Sequence, residues 1–373
     1  MGVWKLIKQA MKVKLFIITV LSLIAFSPGQ RLYAEESGPV NDSKKVEKEF
    51  NAGEFVMEHV SDAFEWHLAT FGKRNVSIPL PIILYSKNSG WHIFLSSKFH
   101  HGTSAYKGFR IEHGGKNDGK IVELDGNGEV IDLPVDLSIT KTVTGIFVSV
   151  IILLWIFLSV ARSARKNEGK APGGLQNLME PVILFLRDEV ARPAIGEKRF
   201  ERYMPFLLTL FFFILINNLL GLIPIFPFGA NVTGNIAVTM VLAVSTFVIT
   251  TFSGNKHYWK EIYNPDVPWW LKFPIPLMPL VEVTGVFTKP IVLMVRLFAN
   301  MLAGHMVVTV FVSLIFVFAK LMGVYFGLGV SVISVLFSVF MVLLDVLVSF
   351  IQAYVFTLLS ALYFGMATEE HHS

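Results

Sequence analysis

Long uncharged segments, separated by short charged ones, make up most of this sequence. Thr142 to Ala161 is one uncharged run that is long enough to cross a bilayer as a helix. No charged side chain occurs between Arg202 and Lys256. The apolar runs within that interval are Tyr203 to Ile223 and Ile236 to Phe252, on either side of a segment rich in proline and glycine. This pattern predicts a membrane-spanning helix followed by a helical hairpin.

Two longer apolar segments close the chain. Val281 to Lys320 contains few residues that could bend a helix, and Ser331 to Phe364 contains neither glycine nor proline. As one helix, the second segment would measure about 51 Å at about 1.5 Å per residue, whereas the hydrocarbon core of a bilayer is only about 30 Å thick. We therefore expect each segment to be a single helix that tilts steeply in the membrane.

The first 34 residues predict a secretory signal. Lysines from Lys5 to Lys14 precede the apolar stretch Leu15 to Phe26, and Tyr33-Ala34-Glu35 is an imperfect cleavage site because Leu32 is not small. An uncleaved anchor helix is the alternative. Either would deliver the following segment to the outside.

Residues 35–136 have the composition of a small soluble α+β domain, which the signal predicts to be exported. The charged stretch Asn41 to Phe71 predicts a helix, and short runs predict strands at Val76 to Tyr85, Trp91 to Leu95 and Lys120 to Leu124. Six of the chain's ten histidines lie here. Their irregular spacing favours surface histidines over a metal site.

Charge placement predicts the orientation. A basic cluster, Arg162 to Lys166, directly follows the first span and is expected in the cytoplasm. Leu175 to Ala191 predicts an amphipathic segment on that face. Lysines between the hairpin and the long helices predict a second cytoplasmic loop, and counting spans places the C-terminus in the cytoplasm as well. The predicted units are therefore a signal (1–34), an exported domain (35–136) and a membrane domain (137–373).

Composition supports a membrane protein. Hydrophobic residues make up 53% of the chain and charged residues 16%, against about 25% charged in a typical soluble domain. The chain has no cysteine, which excludes disulfides and thiolate chemistry. We find no phosphate-binding glycine loop and no basic nucleic-acid-binding stretch. The expected fold is an all-α polytopic membrane protein with two long, strongly tilted C-terminal helices and a small exported α+β domain.

One arginine lies deep in the first long segment. Arg296 is the only charged residue from Pro290 to Ala319, and an arginine at mid-bilayer costs roughly 2.5–3.5 kcal/mol on insertion scales. It is too far from either end of the segment to reach the interface by snorkelling. Glu282 and Lys289 precede it at intervals of seven and share its helix face, while Asn300 follows one turn later. The pattern indicates a functional role.

A second polar stripe lies on the last helix. Asp345, Ser349 and Gln352 share one face, and His305 is a further titratable group on the preceding helix. Asp345 or His305 alone could merely pair with a neighbour. Two polar stripes on adjacent apolar helices indicate an ion pathway.

These residues carry a resemblance to a known family. The run Lys289 to His305 closely resembles the arginine helix of subunit a of F-type rotary ATP synthases, the ATPase protein 6 family. Asp345 to Phe356 resembles that subunit's last helix, and Phe185 to Val190 and Asn218 to Pro224 match as well. The resemblance covers residues 140–373, roughly the predicted membrane domain.

The resemblance implies a proton-translocating stator subunit of the F0 sector, not an enzyme by itself, without cofactor or metal. Arg296 would face the carboxylates of the rotating c-ring and separate two offset half-channels. Glu282 would line the half-channel open to the cytoplasm. The residues that would line the outer half-channel are Asn300, His305, Asp345 and Gln352. Implied partners are the c-ring, subunit b of the peripheral stalk, F1 indirectly, and the lipid of a bacterial inner membrane.

Two departures from the family pattern stand out. Many bacterial members have a glutamate at the place of His305 and a histidine at the place of Asp345, so the acid and the imidazole are exchanged here. The N-terminal domain is also far longer than the family pattern. The rival interpretations are a self-contained channel or transporter, although broken helices and inverted repeats are not visible, and an adhesin or sensor with a membrane anchor. The choice between proton and sodium would depend on the partner's carboxylate site.

Overall fold

The computed structural model describes residues 62–71, 74–100, 102, 104–112, 117, 119–126, 128–167, 171–223, 228–263 and 277–369. The predicted signal lies outside the described residues. So do most of the predicted helix from Asn41 and most of the loop between the hairpin and the long helices.

Residues 62–136, called the strand region below, contain eight described strands. They are β1 (Glu65–Phe71), β2 (Arg74–Pro79), β3 (Pro81–Ser86), β4 (Gly90–Leu95), β5 (Phe109–Ile111), β6 (Ile121–Leu124), β7 (Val130–Asp132) and β8 (Val135–Asp136). They form an antiparallel pair β1-β2 and two three-stranded antiparallel sheets, in the orders β4-β3-β8 and β5-β6-β7. The predicted strands at Trp91 and Lys120 are confirmed, and the predicted run from Val76 divides at Leu80 into two strands.

The helix predicted up to Phe71 is wrong over its last part, because Glu65–Phe71 is strand β1. Trp66 pairs with Ile78 of β2 across the ladder and is only 3% exposed. A cross-strand partner and burial of a large aromatic side chain outweigh the local helix preference of a charged stretch.

Eight α-helices follow in the described residues. They are α1 (Lys141–Lys166), α2 (Leu175–Phe185), α3 (Arg192–Ile195), α4 (Phe200–Gly221), α5 (Ile236–Ser253), α6 (Lys256–Tyr263), α7 (Leu277–Met322) and α8 (Val324–Thr368). A π-helical turn, Leu186–Ala191, joins α2 to α3. Five of these helices (α1, α4, α5, α7 and α8) are long and apolar enough to cross a membrane. The predicted spans are confirmed as helices, and each long segment is one continuous helix.

Local signals set the ends of these helices. Thr140 caps α1 by accepting a hydrogen bond from the Val143 N–H at 3.4 Å, and Asn235 caps α5 through the Ala237 N–H at 3.0 Å. Gly323 separates α7 from α8 with a φ of 91°, which favours glycine.

The helices pack around α4 and α8. α8 contacts α4 and α3, and α7 contacts α5 and α8. Tyr203 of α4 stacks on Phe364 of α8 with 5.0 Å between ring centroids, and Phe211 and Ile214 of α4 are fully buried. The side of α7 and α8 that faces away from α3, α4 and α5 is largely exposed and apolar.

Candidate functional site

Arg296 lies on the exposed side of α7. The exposed positions Val292, Arg296, Asn300 and Ala303 recur at helical spacing and form one stripe. The exposed residues beside Arg296 include Val292 at 50% and Val295 at 46% exposure, and the small Ala299. The guanidinium is therefore presented on an apolar surface and not inside the helix bundle.

No carboxylate among the described residues lies within salt-bridge distance of Arg296; the ion pairs found there belong to other residues. An arginine in apolar surroundings is normally paired. The arrangement can bind an anionic group that approaches the exposed side of α7.

Asp345 reaches across from α8 to α7. A Cβ atom on Gly304 would lie 2.7 Å from Asp345 Oδ1, so any larger residue at position 304 would clash with the carboxylate. Asp345 is 8% exposed. Its carboxylate is thereby placed beside the residue that precedes His305.

His305, on α7, packs against the end of α4. A Cβ atom on Gly221 would lie 3.4 Å from His305 Nε2 and 3.2 Å from the Ala230 carbonyl oxygen. The structure thus brings His305 and Asp345 to the same level of the bundle. Asn300 lies one turn away on the exposed side.

Buried polar atoms without a hydrogen-bond partner collect at this level. Within the described residues, they include His305 Nε2, Asp345 Oδ2, Ser349 Oγ, Asn217 Oδ1, Asn218 Nδ2 and Asn231 Nδ2. Buried polar groups normally have partners, so these unpaired groups are suited to bind water, with the amide nitrogens donating and the oxygens accepting. Gln352 is buried on the same face of α8 as Asp345.

Sequence reasoning missed two members of this group. The Asn217 Nδ2 donates to the Phe213 carbonyl at 2.7 Å, and Asn218 accepts a hydrogen bond from the Thr233 hydroxyl. Both asparagines are polar residues within an otherwise apolar span, and this pattern could have identified them as site residues from the sequence.

A second polar group lies towards the start of α7. Glu282 is half-buried near Tyr258 of α6. Burial raises the pKa of the Tyr258 hydroxyl, and the negative charge of Glu282 raises it further. Lys289 Nζ lies 5.6 Å from the centroid of the Tyr363 ring. A cavity beside it is lined by Thr246, Thr250, Tyr258, Lys289 and Tyr363, among others.

Arg296 separates these two polar groups along α7. At about 1.5 Å per residue, Glu282 lies about 21 Å to one side of it along the helix axis and His305 about 13 Å to the other. The two groups are therefore distinct sites. The described residues contain no cluster of three or more side chains suited to hold a metal ion.

Comparison with known proteins bears on both parts of the chain. The ATP synthase A chain family matches residues 143–365, and a domain of unknown function (DUF8433) matches residues 55–141. ATP synthase subunit a of Chloroherpeton thalassium is 44% identical over 245 residues, which are 63% of this chain and 69% of the relative.

Two further relatives are similar. ATP synthase subunit a 2 of Chlorobaculum tepidum is 43% identical over 244 residues, 64% of this chain and 65% of the relative. ATP synthase subunit a of Myxococcus xanthus is 42% identical over 253 residues, 65% of this chain and 77% of the relative. The residues matched by the ATP synthase A chain family, 143–365, contain the described helices apart from their outermost ends. This chain spans about two thirds of the length of the first relatives.

Proposed function

The chain belongs to the ATP synthase A chain family, and on that premise we propose that it is the proton-translocating stator subunit of the F0 sector of a rotary ATP synthase. In this role it provides two offset half-channels to the carboxylates of a c-ring, and Arg296 separates them. The subunit catalyses no reaction itself. It is a membrane component of the complex that makes ATP.

The single observation that carries this proposal is the exposed, unpaired Arg296 on an apolar helix face. A charge in such a place requires an anionic partner, and no described carboxylate is near enough. The small residues Ala299 and Ala303, both exposed beside it, would let a partner helix approach closely. A ring of helices that each bear one buried carboxylate meets both requirements.

Arginine suits the position for a chemical reason. Its guanidinium cannot be deprotonated in practice, so it cannot carry the proton from one half-channel to the other. A nearby positive charge favours the ionised form of an approaching carboxylate. Each ring site would therefore lose its proton on one side of Arg296 and regain one on the other.

The two polar groups are the proposed half-channels. His305 and Asp345, with Asn300, Gln352, Asn217 and Asn218 nearby, would form the outer one. Glu282, near Tyr258 and the cavity beside Lys289, would form the inner one. α7 has 46 residues and an axis of about 69 Å, so it must tilt steeply in a core of about 30 Å. The half-channels would then be offset laterally as well as in depth.

The orientation follows from charge. Arg162, Arg165 and Lys166 are at the end of α1, and all three are exposed, so this end is proposed to be cytoplasmic. The strand region would then lie outside a bacterial inner membrane, after a signal of residues 1–34 and within an exported domain of residues 35–136. Residues 137–373 would form the membrane domain. Proposed partners beyond the c-ring are subunit b of the peripheral stalk and, indirectly, F1.

The test is Arg296→Ala in the complete complex, with Lys198→Ala as control. Lys198 is an exposed cation just before α4, away from the Arg296 stripe. We expect Arg296→Ala to lower proton-driven ATP synthesis in membrane vesicles at least about 100-fold, because an adjacent arginine lowers the pKa of a carboxyl by roughly 1–3 units and about two units correspond to that factor. Lys198→Ala should retain nearly full activity.

The amount of complex in the membrane is measured alongside, so that loss of coupling is separated from loss of assembly. Synthesis at a normal rate in assembled Arg296→Ala complexes would contradict the proposal. Equal losses in both variants would also contradict it, since the effect would then not belong to Arg296.

A further inference from the structure

The strand region is attached to the helices by hydrogen bonds at the start of α1. The Lys141 N–H donates to the Ala63 carbonyl at 2.9 Å, and the Thr142 N–H donates to Asp62 Oδ1 at 3.0 Å. A carboxylate at a helix N-terminus is stabilised by the unpaired N–H groups and the helix dipole. The strand region is therefore anchored in place and not merely connected by the chain.

The β1-β2 pair also packs on the helices. Trp66 is buried in the same apolar cluster as Ile146 of α1, and Ile78 of β2 packs against that cluster. Lys141 Nζ lies 5.9 Å from the centroid of the Trp66 ring. Asp62 lies at the same helix end, because its Oδ1 accepts a hydrogen bond from the N–H of Thr142, the residue after Lys141. An acid, a cation and an aromatic ring thus meet where the strand region contacts α1.

A short series of contacts leads from this junction to His305. One turn beyond Lys141, a Cβ atom on Gly145 would lie 2.8 Å from Ala230 and 2.9 Å from Val232. The Ala230 carbonyl lies against Gly221, which in turn lies against the His305 imidazole. Among the described residues, Ala230 thus contacts both α1, at Gly145, and the end of α4, at Gly221, where His305 lies.

Unpaired polar atoms occur on α4 before Gly221 and in the segment around Ala230. Asn217 and Asn218, at most 2% exposed, and Asn231 each have a buried side-chain atom without a hydrogen-bond partner among the described residues. Unpaired buried amides near His305 and Ala230 are suited to hold the water of a hydrogen-bonded path for protons.

We propose that the strand region forms the outer vestibule of the proton pathway, with Lys141 and Asp62 as its charged pair and Trp66 as part of its wall. This inference rests on the proposed function, since it names the entrance to the half-channel that contains His305. Lys141 is a positioning residue that sets the electrostatic potential on the path, and Asp62 moderates that potential.

The test uses the fact that the chain contains no cysteine. Asn231→Cys is introduced into the full chain within the complete complex. Right-side-out vesicles are treated from the outside with two methanethiosulfonate reagents, the anionic sulfonatoethyl and the cationic trimethylammonioethyl compound. The labelling rate of this subunit is measured for each reagent, and the anionic-to-cationic rate ratio reports the local potential.

Lys141→Gln should lower that ratio about five- to tenfold, because a potential of about one kT acts on reagents that differ by two charges. Asp62→Asn should raise it, while its amide oxygen can still accept the Thr142 N–H. Trp66→Ala should speed labelling by both reagents about fivefold or more. Trp91→Ala is the matched control, because Trp91 is 62% exposed on β4, and it should change neither rate.

A ratio that is unchanged by Lys141→Gln and Asp62→Asn would overturn the proposal, as would a Cys at position 231 that never reacts from outside. Equal rates in Trp66→Ala and Trp91→Ala would show that the strand region is not the wall. If Trp66→Ala fails to accumulate, the labelling ratios of Lys141→Gln and Asp62→Asn decide alone.

The Arg296→Ala variant distinguishes failure of the vestibule proposal from failure of the proposed function. If Arg296→Ala abolishes ATP synthesis but the labelling ratio does not respond to Lys141→Gln and Asp62→Asn, only the vestibule proposal fails. If Arg296→Ala leaves ATP synthesis intact, the proposed function fails.

Discussion

At the scale of single residues, the position of Asp345 depends on a missing side chain. A Cβ atom on Gly304, the residue before His305, would lie 2.7 Å from Asp345 Oδ1. The Asp345 carboxylate of α8 therefore lies close to the backbone of α7. Glycine at this position serves close approach, since residues within a helix do not need its conformational freedom.

Gly304→Ala should therefore disturb the His305–Asp345 site. The new methyl group would lie 2.7 Å from Asp345 Oδ1, and overpacking of this kind typically costs about 1–3 kcal/mol. We expect ATP-driven proton pumping to fall about tenfold or more in vesicles that contain normal amounts of complex.

Gly285→Ala is the matched control on the same helix. Nothing lies within 4 Å of a Cβ atom at that position, and alanine favours a helix over glycine by up to about 1 kcal/mol. Pumping should be unchanged or slightly higher. If both alanine variants pump alike, close approach at Gly304 does not position Asp345.

At the scale of elements, α8 is held at its C-terminal end by two short neighbours. Gly365 lies directly against the Ala194 carbonyl of α3. Asn255, between α5 and α6, donates its backbone N–H to the Ala367 carbonyl at 2.9 Å and its side-chain amide to the Thr368 carbonyl at 3.0 Å. These bonds satisfy carbonyls that a helix end leaves unpaired.

Gly365→Ala should loosen this docking. A backbone carbonyl cannot rotate away as a side chain can, so the clash should cost at least about 2 kcal/mol. For a protein of this size, we expect the unfolding temperature of the purified subunit in detergent to fall by about 5 °C.

Gly329→Ala, near the start of α8, is the comparison, because a Cβ atom there meets nothing within 4 Å. It should leave the unfolding temperature within about 1 °C of the parent, or raise it slightly. A Gly365→Ala protein as stable as Gly329→Ala would argue against close docking of α3 and α8.

At the scale of the whole molecule, α1 separates two exposed sites that should face opposite sides of the membrane. Lys87 is exposed in the turn between β3 and β4, and Glu197 is exposed between α3 and α4. In the cysteine-free chain, an impermeant maleimide should label Lys87→Cys in right-side-out vesicles. It should label Glu197→Cys only in inverted ones.

Labelling of both positions from one side would mean that α1 does not cross the membrane. Labelling of Lys87→Cys only in inverted vesicles, and of Glu197→Cys only in right-side-out ones, would mean that the strand region faces the cytoplasm. This result would contradict the orientation predicted from the basic cluster Arg162 to Lys166.

Sequence alone predicted the five long apolar helices, which the structure confirms as helices, and the residues that carry charge into the apolar part. Uncharged length, apolar runs and an isolated Arg296 are properties of neighbouring residues, so they can be recognised without a fold. Tertiary structure alone decided that Glu65–Phe71 is a strand, that Gly304 seats Asp345, and that Trp66 packs on the helices. Each of these depends on residues that are distant along the chain and meet only after folding, where burial and close packing outweigh local preference.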